Sequence, residues 1–238
     1  MSYTGVTING TDTLTQWGLI LLDDLHIGEA PLKGELVDVP GADGALNLSY
    51  GLSGRPVFGM RDISFTLFAS GLSRSGTQLL HNRPKNEEEV NLIRTELQGL
   101  YHGREVDLYL PDDATHYWHG IISIGPKDKF NSGRIPISIT AQPYRLKTAV
   151  TEATFSIAGN RVQTITLSNE GMRVSPLVST NKVCTINKDG HYWSLEPNTV
   201  DAKLSGFYLD AGTTSLVINT SGATSTVTLK FKYQEGRL

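Results

Sequence analysis

The sequence predicts a mainly β protein with one amphipathic α-helix, arranged in two domains. Apolar and polar residues alternate over most of the chain, only one segment has helical spacing, and the composition changes near residue 146. A chain of 238 residues is long enough for two domains of ordinary size. We therefore place one domain at 1–146 and a second at 147–238, where charged residues become rarer and Thr, Ser and Gly more frequent.

Alternation with a period of two residues identifies the strands. The isoleucines of RIPISITAQ (134–142) share one face, and so do the apolar residues of TSTVTLKFKY (224–233). The same pattern occurs in ISFTLF, EVDLYL, QTITL and SLVIN, with turn-forming residues between them. In the second domain, strands at this spacing predict a β-sandwich.

One segment, NEEEVNLIRTELQGLYHG, has the features of a helix at about 86–99. Asn86 is the expected N-cap, and Glu89 three residues later completes a capping box. An apolar stripe follows at helical spacing: Val90, Ile93, Leu97 and Leu100. Gly99 and Gly103 are the candidate C-terminal stops. We expect the stripe to pack onto a sheet.

The stretch VDVPGADGALNL (37–48) is rich in turn residues and raises the question of a phosphate-binding loop. Such a loop needs backbone N–H groups that lead into a helix, whereas this stretch leads into a strand-like run. The sequence contains neither G-x-G-x-x-G nor G-x-x-x-x-G-K-[ST]. We interpret it as a corner between strands, and we expect a tight hairpin at Asp189-Gly190 in INKDGHYW.

Charge and cysteine content disfavour several functions. The net charge is −3, so no cationic surface is expected to bind nucleic acid directly. The single cysteine, Cys184, forms no intrachain disulfide and is expected to be buried. The N-terminal residues lack the features of a signal peptide, and the longest apolar run, WGLILL, is too short to insert into a membrane.

Catalytic and metal-binding candidates are weak in this sequence. His116 and His119 in HYWH are the best metal ligands, but in a strand they point to opposite faces. The acidic pairs at 23–24 and 112–113 have the positions of ordinary turns. Ser53 and Ser73 lie near glycines but do not complete G-x-S-x-G. We expect no catalytic residue, no metal and no cofactor.

Tyr192 and Trp193 in HYWSLEP are the candidates for a sugar-stacking platform. Packing in the core or beneath a hairpin is the more common role for such residues. A carbohydrate-binding adhesion module is the alternative function, and a hydrolase that uses Ser73 or an Asp pair ranks third.

Four stretches carry a family resemblance through their order and spacing. They are VPGADGALNLSYGLSGRPVFGMRDISFTL, VNLIRTELQGLYHGREVDLYLPDDATHYWHGII, PYRLK and LDAGTTSLVINTSGATSTVTLKFKYQEGRL. Together they combine a glycine-rich corner, an arginine that opens a strand, one helix, a hairpin with an acidic turn, and final strands with a short G-x-L tail. In this arrangement the chain resembles the distal tail proteins of long, flexible-tailed bacteriophages and of prophages.

The resemblance implies an N-terminal domain related to tail-tube subunits and a C-terminal galectin-like β-sandwich, with last residues that can pack back on the first domain. It implies a structural protein at the virion tail tip, assembled in the bacterial cytoplasm, and no enzyme. Members form hexameric rings, and two rings can stack back to back. The implied partners are the tail tube protein, a tail-tip or tail-associated lysin protein, and receptor-binding or baseplate proteins.

We hypothesise that the glycine-rich stretch contributes a hairpin or belt that reaches a neighbouring subunit of the ring. The candidate interface residues are Gly41, Asp43, Gly44, Leu52, Arg55, Phe58 and Arg61. Charge reversal at Arg61 or deletion of residues 41–59 is then expected to abolish the ring.

Overall fold

The fold was analysed in a computed structural model that describes residues 4–34, 36–38, 40–41, 43–75, 78–81, 85–126 and 133–238. The chain divides into two compact units, Met1–Arg145 and Leu146–Leu238. Both units are built mainly from antiparallel strands, as the sequence predicts. No helix among the described residues is long and apolar enough to cross a membrane.

The first unit contains twelve named strands and three helices in its described residues. The strands are β1 (Thr7–Ile8), β2 (Thr11–Asp12), β3 (Leu19–Leu21), β4 (His26–Ile27), β5 (Leu36–Asp38), β6 (Ala45–Asn47), β7 (Arg61–Ala69), β8 (Leu72–Ser75), β9 (Gln78–His81), β10 (Glu105–Tyr109), β11 (His116–Ile124) and β12 (Arg134–Ala141). The helices are α1 (Thr13–Trp17), α2 (Leu48–Ser53) and α3 (Glu87–Tyr101). Strand β13 (Arg145–Lys147) spans the division between the units.

Seven strands of the first unit form its main sheet in the order β2-β1-β10-β11-β12-β7-β3, and β4 also pairs with β7. Neighbouring strands are antiparallel throughout. The alternation in β12 buries Ile135, Ile137 and Ile139, as predicted. The same face of the sheet carries the core, because inward-facing apolar residues of β7, β10 and β11 join one buried cluster.

Helix α3 packs its apolar stripe onto this core. Asn86 accepts a hydrogen bond from the backbone N–H of Glu89, whose carboxylate accepts one from Asn86 N, so the predicted capping box is present. The predicted stripe is correct except at its last member, since Leu100 is 45% exposed and Tyr101 is buried instead. Gly99 does not end the helix, which continues to Tyr101 before Gly103 adopts a left-handed φ of 75°.

The prediction of a single helix is wrong for the described chain, because α1 and α2 were not expected. Each has only five or six residues, too few for a helical apolar period to emerge from the sequence. Helix α1 is defined by its ends: the Asp12 side chain accepts from the N–H groups of Leu14 and Thr15, and Gly18 is left-handed. Helix α2 follows β6 directly, where a continued strand was expected.

The second unit is a β-sandwich of two four-stranded antiparallel sheets. Its strands are β14 (Thr151–Ile157), β15 (Val162–Asn169), β16 (Leu177–Thr180), β17 (Cys184–Lys188), β18 (His191–Leu195), β19 (Thr199–Lys203), β20 (Gly212–Asn219) and β21 (Val227–Tyr233). The short strand β22 (Gly236–Arg237) follows β21 and belongs to neither of these two sheets. One sheet has the order β14-β21-β16-β19 and the other β15-β20-β17-β18. Inward residues of both sheets fill one core, which includes Phe207, Leu216 and Phe231.

The buried positions and the tight turn of the sandwich follow from its sequence pattern. The apolar face of β21 is buried at Val227, Leu229, Phe231 and Tyr233, as predicted. The predicted hairpin joins β17 and β18 through Asp189 and Gly190, with positive φ of 52° and 84°. Two consecutive positive φ values define the type I′ turn that Asp-Gly favours.

Candidate assembly surface

The segment between β4 and β7, residues 28–60, exposes several large apolar side chains. Among its described residues these are Leu32, Val37, Leu46, Tyr50, Leu52 and Met60. Leu52 is the most exposed of them, at 83%. The concentration of exposed apolar side chains in one segment makes it the candidate for contact with another molecule. We call residues 28–60 the belt segment.

The belt segment is closed at its base, where its two ends pair with each other. Lys33 N donates to Val57 O at 2.6 Å, and Gly59 N donates to Pro31 O at 2.7 Å. Leu32 and Phe58 form an antiparallel bridge between these two bonds. The Phe58 ring also meets the Tyr144 ring edge to face at 6.1 Å. The base is therefore anchored to the first unit, whereas the residues between its two ends carry Leu46, Tyr50 and Leu52.

The stretch that raised the phosphate-loop question is the hairpin β5–β6. Gly41 and Gly44 have positive φ of 85° and 79°, and Asp43 lies between them on the exposed turn. Gly44 leads into strand β6, which supports the interpretation as a strand connection. Among the described strands, β5 and β6 pair only with each other, and a two-stranded hairpin is marginally stable in isolation. Contact with another molecule would stabilise it.

Helix α2 and the residues after it form the C-terminal part of the belt segment. Leu52 lies in α2, and Gly54 follows with a left-handed φ of 67°. The Ser53 hydroxyl donates to Arg55 O at 2.7 Å, which fixes the chain direction after the helix. Ser53 therefore has a local structural role. Arg55 is half-buried. Its Nε is shielded from solvent and has no hydrogen-bond partner among the described residues.

Arg61, one of the candidate interface residues, is buried in the single chain. It opens β7, but its side chain is only 9% exposed and its guanidinium lies 4.7 Å from the centre of the Trp118 ring. Charge reversal at Arg61 would therefore place a carboxylate in the end of the core and disturb the fold itself. Of the proposed interface residues, Gly41, Asp43, Gly44 and Leu52 are exposed.

The two histidines of HYWH lie on opposite faces of β11, as strand geometry requires. His116 is 4% exposed, and its Nδ1 lies 2.8 Å from the Thr115 hydroxyl. The Nδ1 of His119 lies 2.7 Å from a carboxylate oxygen of Asp107. Among the residues that the structure describes, no group of three His, Cys, Asp or Glu side chains is placed to hold a metal ion.

The acidic pairs lie in turns, where they stabilise the local backbone. Asp113 accepts hydrogen bonds from Thr115, which, with a smaller contribution from His116, lower its pKa to about 2 against the opposing effect of burial. The same carboxylate pairs with Arg145 at 2.9 Å. Asp24 accepts from the backbone N–H of Thr66 at 3.0 Å. These contacts give one member of each pair, Asp24 and Asp113, a role in the fold.

The remaining nucleophile candidates are Cys184 and Ser73. Cys184 is buried in the sandwich, and burial raises the pKa of its thiol. Ser73 lies in β8, which leads into the hairpin strand β9 and not into a helix as a nucleophile elbow would. Its side chain lies outside the described residues.

Tyr192 and Trp193 do not form one platform, because neighbours in a strand point to opposite faces. Tyr192 is 69% exposed, whereas Trp193 packs against Phe207 with ring centres 5.0 Å apart. The indole Nε1 of Trp193 donates to Ser205 O at 2.8 Å. Trp193 is therefore a half-buried residue that packs against the core of the sandwich, and the two side chains do not share one face.

The sequence does not show which apolar residues of the belt segment are exposed. Leu46 and Tyr50 alternate with polar neighbours like the residues of any half-buried strand. The available signal was the density of glycine and turn residues around them, which indicated a long connection.

The fold is similar to that of a solved phage protein. The crystal structure of SPP1 Dit (gp 19.1), described as a paradigm of the hub adsorption apparatus in phages that infect Gram-positive bacteria, matches over 100% of both chains with a TM-score of 0.59 and 12% identity. A de novo designed double-stranded β-helix aligns with 35% of this chain at a TM-score of 0.26 and 9% identity. No family model matches the sequence, and no curated protein matches it significantly.

Proposed function

We propose that this protein is a distal tail protein, the structural hub at the tail tip of a long-tailed phage or prophage. The observation that carries the proposal is the fold match to a phage hub protein over the whole of both chains. A shared domain type alone would be weaker support, because one fold hosts many functions. Here the entire two-unit chain corresponds to a protein of comparable extent, and the order of sequence stretches gives the same assignment independently.

The ring is the assembly that we propose for this hub. Six copies in one ring, or twelve copies in two rings stacked back to back, would meet within each ring through identical head-to-tail contacts that close on themselves. The belt segment supplies the contact, since it combines exposed Leu46, Tyr50 and Leu52 with an unsupported hairpin. Burial of these side chains against a neighbour would remove apolar surface from water and order the hairpin at the same time.

The two units would then have different roles. We assign ring formation and contact with the tail tube to the first unit, and we assign the outward position to the second, as a galectin-like sandwich. Tail-tip or tail-associated lysin proteins and receptor-binding or baseplate proteins would dock on this hub. The proposed role is structural, without catalysis, cofactor, membrane insertion or direct binding of nucleic acid.

The first experiment is the solution mass of the purified chain by light scattering on a size-exclusion column, with negative-stain imaging of the peak. We expect a particle of six or twelve times the 26.0 kDa chain mass, with a central hole. Co-purification with candidate tail-tip proteins of the same phage or prophage then tests the docking role. A protein that stays monomeric alone and with these partners would contradict the proposal.

A further inference from the structure

Strand β15 is an open edge of the second unit. It stands at one end of the sheet β15-β20-β17-β18, and among the described strands it pairs only with β20. The pairing runs without a register shift from Val162 opposite Asn219 to Asn169 opposite Gly212. A free edge offers unpaired backbone groups to any strand that approaches it, and natural proteins protect such edges.

The other edges of the sandwich carry protective features. Strand β14 carries Glu152, whose carboxylate pairs with Lys230 at 2.7 Å. Strand β19 pairs with β16 through a register shift, and it carries Asp201 and Lys203. Strand β18 has only five residues. Strand β15 has eight residues, VQTITLSN, without a proline, a charged side chain or a bulge. Of the four edges, it is the one that is long, regular and uncharged.

Alternate residues of β15 turn their backbone groups away from the sheet. Thr220 N donates to Arg161 O at 2.8 Å, so the antiparallel ladder directs the backbone groups of odd-numbered residues toward β20. The even-numbered residues therefore direct theirs outward: Val162, Thr164, Thr166 and Ser168. Ser168 O agrees with this alternation, because it accepts from the Tyr233 hydroxyl at 2.6 Å. The other three residues keep N–H and C=O groups that no described strand pairs.

The side chains beside this open edge are uncharged as well. Those of the same three residues lie on the outer face of the sheet, where Val162 is 63% exposed. Opposite them on β20 are Asn219, Val217 and Ser215. Hydroxyl and amide groups both donate and accept hydrogen bonds, and this surface holds no charge that burial would leave unpaired. It can therefore lie beside a copy of itself.

We propose that β15 pairs with β15 of a second copy of this chain, antiparallel across a two-fold axis at Thr164. The register follows from the open backbone groups. With Thr164 opposite its own equivalent, Val162 lies opposite Thr166 of the second copy, so every open N–H meets an open C=O. A shifted register would leave some of these groups unpaired. The two four-stranded sheets would join into one continuous sheet.

This pairing goes beyond the proposed hub function and does not rest on it. The edge belongs to the second unit, whereas the proposed ring contact belongs to the belt segment of the first. In a protein that forms rings, a two-fold contact would join copies from two rings; in a protein that forms none, it would give a dimer. In both cases the pairing doubles the mass, and its loss halves the mass.

The first measurement is the mass of the full chain by light scattering over a series of concentrations. Thr164→Lys places two like charges opposite each other at the axis, so it should halve the wild-type mass at equal concentration. Ser156→Lys is the matched control, because Ser156 is an exposed residue of β14, an edge of the other sheet. It should keep the wild-type mass.

The second measurement is disulfide crosslinking, which reports the register of the pairing. Residues of a hydrogen-bonded antiparallel pair have Cα atoms about 5.5 Å apart, within the range of a disulfide. Thr164→Cys should therefore form a covalent dimer under mild oxidation, and this small change also serves if Thr164→Lys does not fold. Thr166→Cys is the control, since its equivalent in the second copy would lie about 13 Å away or more. The native Cys184 is buried.

The proposal is overturned if the wild type and Thr164→Lys have equal masses throughout the series and Thr164→Cys forms no covalent dimer. Equal loss of mass in Ser156→Lys, or equal crosslinking of Thr166→Cys, would also overturn it. The outcome for the hub function is separate. A wild type that forms crosslinkable dimers but no rings would contradict the hub and support the pairing, and single rings without crosslinks would do the reverse.

Discussion

Leu52→Asp is the most direct perturbation of the proposed ring. Leu52 is 83% exposed in the isolated chain, so nearly its whole side chain is available for burial by a neighbour. Full burial of a leucine side chain contributes about 2 kcal/mol, which corresponds to roughly a thirtyfold change in the affinity of one contact. A ring of six repeats this contact six times, so the substitution removes about 12 kcal/mol from the closed assembly.

The assay is the mass distribution by light scattering over a wide series of protein concentrations. We expect Leu52→Asp to shift the midpoint of assembly to a much higher concentration, while circular dichroism shows an unchanged fold. The fold should survive because substitution of an exposed residue changes the free energy of unfolding by about 0.5 kcal/mol or less.

Val200→Asp is the matched control, since Val200 is 77% exposed on β19 of the second unit and lies outside the belt segment. It should assemble like the wild type. Equal assembly of Leu52→Asp and the wild type would refute the role of the belt segment, and equal loss in both variants would refute its specificity.

Three further predictions concern the stability of the fold. Asn86→Ala removes the N-cap of α3 and should lower the free energy of unfolding by about 1 kcal/mol in urea titrations, whereas exposed Glu96→Ala should have little effect. Asp113→Asn should cost about 1–2 kcal/mol at neutral pH, a range that allows for the 23% exposure of the carboxylate. Because the pKa of Asp113 is depressed to about 2, this stabilisation is complete above the unfolded-state pKa near 4 and disappears as the pH falls through about 2, so the melting curves of wild type and variant should converge there. Gly120→Ala should destabilise by about 2 kcal/mol or more in thermal melts, because a Cβ would lie 2.5 Å from Thr140 O. Gly99→Ala should be neutral or stabilising, because its Cβ would meet no described atom within 4 Å other than its own chain neighbours and helix backbone.

A different result would contradict each of these three predictions. An Asn86→Ala variant as stable as the wild type would mean that the capping box contributes nothing beyond solvent hydrogen bonds. A stability difference for Asp113→Asn that persists unchanged at the lowest pH would show that its origin is packing and not charge. A stable Gly120→Ala variant would show that β11 and β12 can separate locally at low cost.

Much of the fold was predictable because local chemistry specifies it. The alternation of isoleucines in β12 and of apolar residues in β21 requires one buried face, since neighbouring side chains in a strand point to opposite sides. The capping box of α3 and the Asp189-Gly190 turn depend on residues only a few positions apart. The short helices α1 and α2 escaped prediction because five or six residues cannot display a helical period.

The candidate site was less predictable, because exposure and pairing depend on distant parts of the chain. Sequence reasoning selected the belt segment through its glycines and turns, but it treated Leu52 and Arg61 as equivalent contact residues. The tertiary structure separates them: Leu52 faces solvent on α2, while Arg61 is buried against Trp118, a residue 57 positions away. Tyr192 and Trp193 were likewise grouped by adjacency, although the strand turns one outward and the other into the core.

The sequence by itself determined the strands, the main helix, the tight turns and the mainly β class, since each follows from the chemistry of neighbouring residues. The tertiary structure alone decided which apolar residues stay exposed and which arginine is buried against an aromatic ring. Burial and electrostatic pairing are properties of residues brought together from distant positions, and the periodicity of one segment carries no information about what packs against it.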